Sequence, residues 1–87
     1  PSRLKVDFLG AALSRATGAF VLAAHRRGHQ VHVWTVNKTE SMERMIDLGV
    51  DDLITDRPAE AVRLVREYEG LSPAERRLRG IRAWVAN

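Results

Sequence analysis

The sequence predicts an α/β fold made of three successive βα units with parallel strands, followed by one further helix. Three observations carry that prediction. Runs rich in β-branched and aromatic residues alternate with runs of helical periodicity, the connections are only a few residues long, and glycine, asparagine or proline stands at nearly every boundary. Such alternation implies parallel strands joined by right-handed crossovers.

The first strand is read over Leu4 to Leu9, with Gly10 at its end. A stretch of small residues leads into a helix from Phe20 to Arg27, whose positions 20, 23 and 24 share a face and whose end is marked by Gly28. The segment from Gln30 to Val36 is the clearest strand, and Asn37 closes it. Asn37 and Glu40 have the spacing of a helix capping box, and Met42, Met45 and Ile46 then repeat at helical spacing until Gly49. A third strand is read in Asp52 to Thr55, and Pro58 opens a third helix with Ala61, Val62, Val65 and Tyr68 as its buried face. After Gly70, Ser72-Pro73-Ala74-Glu75 is a second capping box and starts the terminal helix.

A chain of 87 residues holds one domain at most and buries a modest core, without cysteine to staple it. No stretch is apolar for long enough to span a bilayer as a helix. The chain opens on Pro1, which predicts a segment of something longer. Of 14 Lys/Arg and 11 Asp/Glu, four and one fall in residues 72–87, so residues 1–71 are balanced at ten of each. The whole excess of +3 therefore sits on the tail, and the body has no charge pattern suited to nucleic acid.

Periodicity does not separate a piece of a doubly wound sheet from a piece of a βα barrel, because both are built from the same unit. Two motifs do. Val33-Trp34-Thr35-Val36-Asn37 and Gly49-Val50-Asp51-Asp52-Leu53-Ile54-Thr55-Asp56-Arg57-Pro58 stand about a dozen residues apart. In order and spacing they resemble the last strands of glycerophosphodiester phosphodiesterases, and the similarity runs from about Lys5 to about Glu69. The sequence departs from that pattern at Asp52, where glycine is common, and a carboxylate there needs a partner or solvent.

The resemblance implies a partial (βα)8 TIM barrel: residues 1–71 as the last three βα units, with residues 72–87 as a basic amphipathic C-terminal helix. It also implies a reaction, the metal-assisted hydrolysis of a glycerophosphodiester to an alcohol and glycerol 3-phosphate, with Ca or Mg as the divalent cation and a cytoplasmic or membrane-anchored setting. The family's His-Arg-Gly motif, second histidine and acidic metal ligands precede the region matched here, so no catalytic residue and no metal ligand is expected in this segment, which alone should be inactive.

What the resemblance assigns to this segment is pocket wall. Barrel active sites lie at the C-terminal ends of the strands, and Trp34 corresponds to the family's tryptophan that packs against the glycerol moiety. The competing reading is that a large apolar residue in a central strand is simply core. Asn37 is a second substrate-contact candidate, with a helix cap as the competing role, and Asp56 is read as a cap and loop-ordering residue.

Other constellations fall away. His25, His29 and His32 have suggestive spacing, but Gly28 breaks the helix between the first two and no cysteine or well-placed carboxylate completes a metal site. The six glycines follow no phosphate-loop spacing, which disfavours a nucleotide-binding sheet. The tail carries Leu78, Ile81 and Val85 on one side, beside Trp84; this suits weak contact with an anionic membrane surface, and better suits a helix docked on its own barrel with solvated arginines. The alternative to an enzyme segment is a non-catalytic βα module that self-associates or completes another chain. In either case three parallel units leave open edges, so self-association is expected.

Overall fold

The computed structural model describes residues 7–86. Strand β1 (Phe8–Ala12) leads through a single 3-10 turn (Leu13–Arg15) to helix α1 (Gly18–Arg26); then follow β2 (Gln30–Trp34), α2 (Thr39–Leu48), β3 (Asp52–Leu53), α3 (Pro58–Glu69) and α4 (Pro73–Val85). The strands form one parallel sheet in the order β1-β2-β3. Sequential order with parallel pairing means that each crossover moves one strand over in the same direction, as the short connections require.

The core lies on one face of this sheet. Val31 and Val33 point from β2 into a cluster with Val21 and Ala24 of α1, Met42, Met45 and Ile46 of α2, and Leu64 of α3. The expected Met42, Met45 and Ile46 face is therefore buried as read. Helix α2 ends on Gly49 with φ +85, a left-handed position that glycine takes without the Cβ penalty, and its amide returns to the carbonyls of Met45 and Ile46. Gly28, at φ +78, follows α1 in the same way.

Several boundaries differ from the sequence reading, each for a local reason. Residues 4–6 of the expected first strand lie outside the described residues, and the strand runs on through Gly10 to Ala12. Gly10 does not break it because a glycine within a strand can also mark a close approach. A Cβ there would stand 2.4 Å from the ring of Trp34. Helix α1 starts earlier than Phe20, because Thr17 caps it by accepting a hydrogen bond from the Phe20 amide at 3.1 Å. Its buried positions are Gly18, Val21 and Ala24; of the expected face Ala24 is buried, Phe20 is half-buried against the core and Ala23 is exposed. Strand β3 is only two residues long, though the Ile54 amide still donates to the Val33 carbonyl.

In α3 the buried residue is Leu64, with Ala61 and Tyr68 packed beside it, whereas Val62 and Val65 of the expected face are exposed. The helix meets α2 on the Ala61–Leu64–Tyr68 side. Its valine flank lines an apolar groove with Gly49, Val50 and Leu53 beyond the edge of β3.

Two surface clusters tie the layers together. Asp51 accepts hydrogen bonds from the Val31 amide at 2.7 Å and from His25 Nε2 at 2.8 Å, joining the start of β2 to the end of α1. Partial burial pushes the Asp51 carboxyl up, but these hydrogen bonds and the nearby imidazoles outweigh it and hold it below the ordinary 3.8. Glu60 accepts from Arg63 and from Thr39, and these bonds lower its pKa to about 2.

Candidate functional site

The other face of the sheet is bare. Because partners in register share a face, Phe8, Gly10 and Ala12 line up with Gln30, His32 and Trp34, and His32 lines up with Asp52. Among the described residues no helix covers this side, and Phe8, Trp34 and Ile54 are 59%, 43% and 46% exposed on it. Its lower part is a small network. Phe8 stacks on the His32 ring at 4.3 Å, His32 Nε2 meets Gln30 Oε1 at 3.2 Å, and His32 Nδ1 lies 3.8 Å from the Asp52 carboxylate. The unusual carboxylate at Asp52 is thus placed toward both a histidine and solvent.

Trp34 is the last residue of β2, at the C-terminal end of the sheet. Its ring lies over Gly10 of the neighbouring strand, and only a residue without a Cβ leaves that space. The tryptophan is therefore neither buried core nor a free surface residue: one side is seated on the sheet and the other is open. The peptide that follows it is cis.

Beyond Trp34 the chain ends of β2 and β3 are clasped by Asn37. Its Nδ2 donates to Asp56 Oδ2 at 3.0 Å, while its Oδ1 accepts from Thr55 Oγ1 at 3.2 Å and from the Asp56 amide at 2.9 Å. Arg57 closes the arrangement from the other side, its guanidinium donating to the Asn37 carbonyl at 2.7 Å and its amide donating to Thr55 Oγ1. The capping roles read from sequence for Asn37 and Asp56 do not hold. Lys38 occupies the cap of α2 without a side-chain bond, and Arg57 that of α3. The Asn37 amide reaches across to β3 because both of its ends find partners there, which a cap on α2 would not provide. Asp56 orders the loop, as expected, but does not cap.

Three of the four hydrogen-bonding places of the Asn37 side chain are used within the chain, leaving one N–H. Replacement by alanine should cost about 1–2 kcal/mol, read as a lower urea midpoint. Asn37→Asp separates the two roles: aspartate is a good helix cap, but here it loses the donor and faces Asp56, so it should destabilise comparably to alanine. An aspartate as stable as the wild type would mean that the clasp contributes nothing.

The three histidines do not converge. His25 is held by Asp51, His32 stacks on Phe8, and the Nδ1 of His29 has no partner. Among the described residues no group of three or more His, Cys, Asp or Glu could hold a metal ion. Nothing local in the sequence marks Gly10, Thr55 and Arg57 as partners of Trp34 and Asn37; a glycine inside a strand pattern is the one available signal, and it suits a strand end equally well.

The site's two sequence blocks are shared with known proteins. The family model for the glycerophosphoryl diester phosphodiesterase family matches residues 3–60, which include both Trp34 and the Asn37–Arg57 clasp. The chain belongs to this family. It is 48% identical over 42 residues to a glycerophosphodiester phosphodiesterase of Caldanaerobacter subterraneus, covering 48% of this chain and 17% of that one. It is 46% identical over 41 residues to a Mycobacterium tuberculosis protein assigned as a glycerophosphodiester phosphodiesterase, covering 47% of this chain and 16% of the other. A crystal structure from Silicibacter pomeroyi, assigned as a glycerophosphoryl diester phosphodiesterase, superposes with a TM-score of 0.68 at 35% identity, over 76% of this chain and 22% of that one. The chain thus spans only 16% to 22% of the length of these three relatives.

Proposed function

We propose that this chain is the last three βα units of a (βα)8 barrel that hydrolyses glycerophosphodiesters to an alcohol and glycerol 3-phosphate, and that it supplies part of the substrate wall. The observation that carries this reading is the bare sheet face with Trp34 seated at its C-terminal end. In a closed barrel that face is interior, and the ends of the strands carry the site. The apolar flank of Val62 and Val65 fits the same reading, as a surface awaiting the neighbouring βα unit.

In this role the chain binds and orients and does not transfer protons. Trp34 offers the open side of its ring to the apolar edge of a glycerol moiety, and Gly10 beneath it fixes the height of the ring. The Asn37 clasp holds the β2 and β3 ends at a constant separation, and its remaining N–H can reach a ligand oxygen. The family chemistry uses a divalent cation, Ca or Mg, to neutralise the phosphate charge; no group of three or more His, Cys, Asp or Glu among the described residues fits such a site, and in this reading the rest of the barrel holds the cation and the acid/base histidines. The segment alone is then inactive.

The test is Trp34→Ala in the full-length protein. Loss of an apolar contact of this size should lower kcat/KM for glycerophosphocholine by about tenfold to a hundredfold, with the melting temperature nearly unchanged because the ring is half exposed. A large fall in melting temperature with unchanged kinetics in the folded fraction would make Trp34 core filler. The second reading, a non-catalytic module that completes another chain, rests on the same bare face, and it predicts no hydrolysis by the 87-residue chain or by the longer protein.

A further inference from the structure

Helix α4 is docked the wrong way round for an ordinary amphipathic helix. It lies on α2 and α1, and the side that meets them is made of Ala83, which is buried, Gly80, and the arginines Arg76 and Arg79. Gly80 lets the backbones close up, since a Cβ there would stand 3.3 Å from the Asp47 carbonyl. Arg79 pairs with Asp47 at 2.9 Å, and Arg76 donates to the Tyr68 and Glu69 carbonyls. The large apolar residues are on the opposite side. Leu78, Ile81 and Val85, at spacings of three and four, form an outward stripe and are all exposed.

Arg77 and Arg82 flank that stripe, one on each side, and neither is paired with a carboxylate among the described residues. The only acid of the helix, Glu75, is turned back into the capping box with Ser72. Trp84 lies at the edge, its ring against Gly18 on the docked side and half exposed on the other. Helix α4 packs on the helices α2 and α1, whereas further βα units would add at the sheet edges.

We infer that the outward face of α4 docks on an anionic phospholipid surface. An apolar stripe with an arginine on each border and a tryptophan at its margin matches the layered chemistry of such a surface, where apolar side chains enter the acyl boundary and cations meet lipid phosphates. A protein groove would have to supply carboxylates on both sides of an apolar trough to satisfy the same face, whereas an anionic bilayer supplies both everywhere. The four arginines divide accordingly: Arg76 and Arg79 fasten the helix to the protein, and Arg77 and Arg82 face the lipid.

The experiment is co-sedimentation of the 87-residue chain with phosphatidylcholine vesicles, with and without phosphatidylserine, at low and high salt. Binding should require the anionic lipid and weaken with salt. Each of Arg77→Gln and Arg82→Gln should reduce partitioning about fivefold and the pair about 25-fold, with circular dichroism unchanged. In a Trp34→Phe background the emission of Trp84 should shift to the blue on binding, and Ile81→Asp should abolish both signals. Equal binding to neutral vesicles, no binding at low salt, or an unaltered affinity of the double arginine variant would each overturn the proposal. A dimer disrupted by Ile81→Asp would overturn it too, by giving the face to a second copy.

Discussion

Met42→Ala should remove a large part of this chain's stability. Met42 is fully buried, at the centre of a cluster that joins β2, α1, α2 and α3, so shortening it withdraws contacts from every layer at once. Truncations of this kind cost about 2–5 kcal/mol, and a chain of this length has on the order of 5–10 kcal/mol in total. The loss should be read as a drop in urea midpoint with an unchanged slope. Leu78→Ala on the outward face of α4 is the matched control, because its side chain is exposed and its removal should stay within about 0.5 kcal/mol. Equal effects of the two substitutions would mean that the core is not where the buried cluster puts it. The consequence for the site is direct: the same cluster holds Val31 and Val33 against the helices, and so decides which way Trp34 faces.

Much of this was legible from periodicity. Strand β2 starts where it is read and ends at Trp34 rather than Val36, helix α2 has the expected buried face and stops at Gly49, and the Ser72–Glu75 capping box forms as read. Glycine was the first point of ambiguity. Gly28 and Gly49 serve the left-handed turns that their positions after helices suggest, while Gly10 serves a tryptophan twenty-four residues away, which no local pattern contains. Asn37 was the second. Its spacing to Glu40 is that of a cap, but a stronger set of partners lay across the sheet in Thr55 and Asp56, and tertiary hydrogen bonding overrode the local option.

The helix faces show the limit of period counting from the other direction. In α3 the apolar residues nearly encircle one half of the helix, and which of them are buried depends on what stands next to it: Leu64 meets α2, while Val62 and Val65 line the open groove beside β3 and stay exposed. In α4 the spacing of Leu78, Ile81 and Val85 makes the stripe legible but not its direction: a helix docked with solvated arginines would bury the stripe, and the structure turns it outward. Arg76 and Arg79 account for this, because the Arg79 pair with Asp47, the Arg76 hydrogen bonds to the Tyr68 and Glu69 carbonyls at the end of α3, and the close approach at Gly80 make the polar side the better fit to α2 and the end of α3.

The isolated 87-residue chain should not remain a monomer. Strands of a parallel barrel pair on both sides and are covered on both faces, and here β1 and β3 each have one unpaired edge while one whole face of the sheet is bare. Phe8, Trp34 and Ile54 together make that face too apolar to be a stable water interface, and so short a chain cannot compensate by enlarging the core on the other side. A second copy offers the same surface and can cover it face to face or by edge pairing. Light scattering at micromolar concentration should therefore give a mass of at least twice 9.8 kDa. Ile54→Asp, which places a charge on the bare face, should return it to the monomer, whereas Ile81→Asp on α4 should leave the assembly intact. A compact wild-type monomer of 9.8 kDa would mean that this face tolerates water, and it would remove the principal physical reason for reading the sheet as part of a closed barrel.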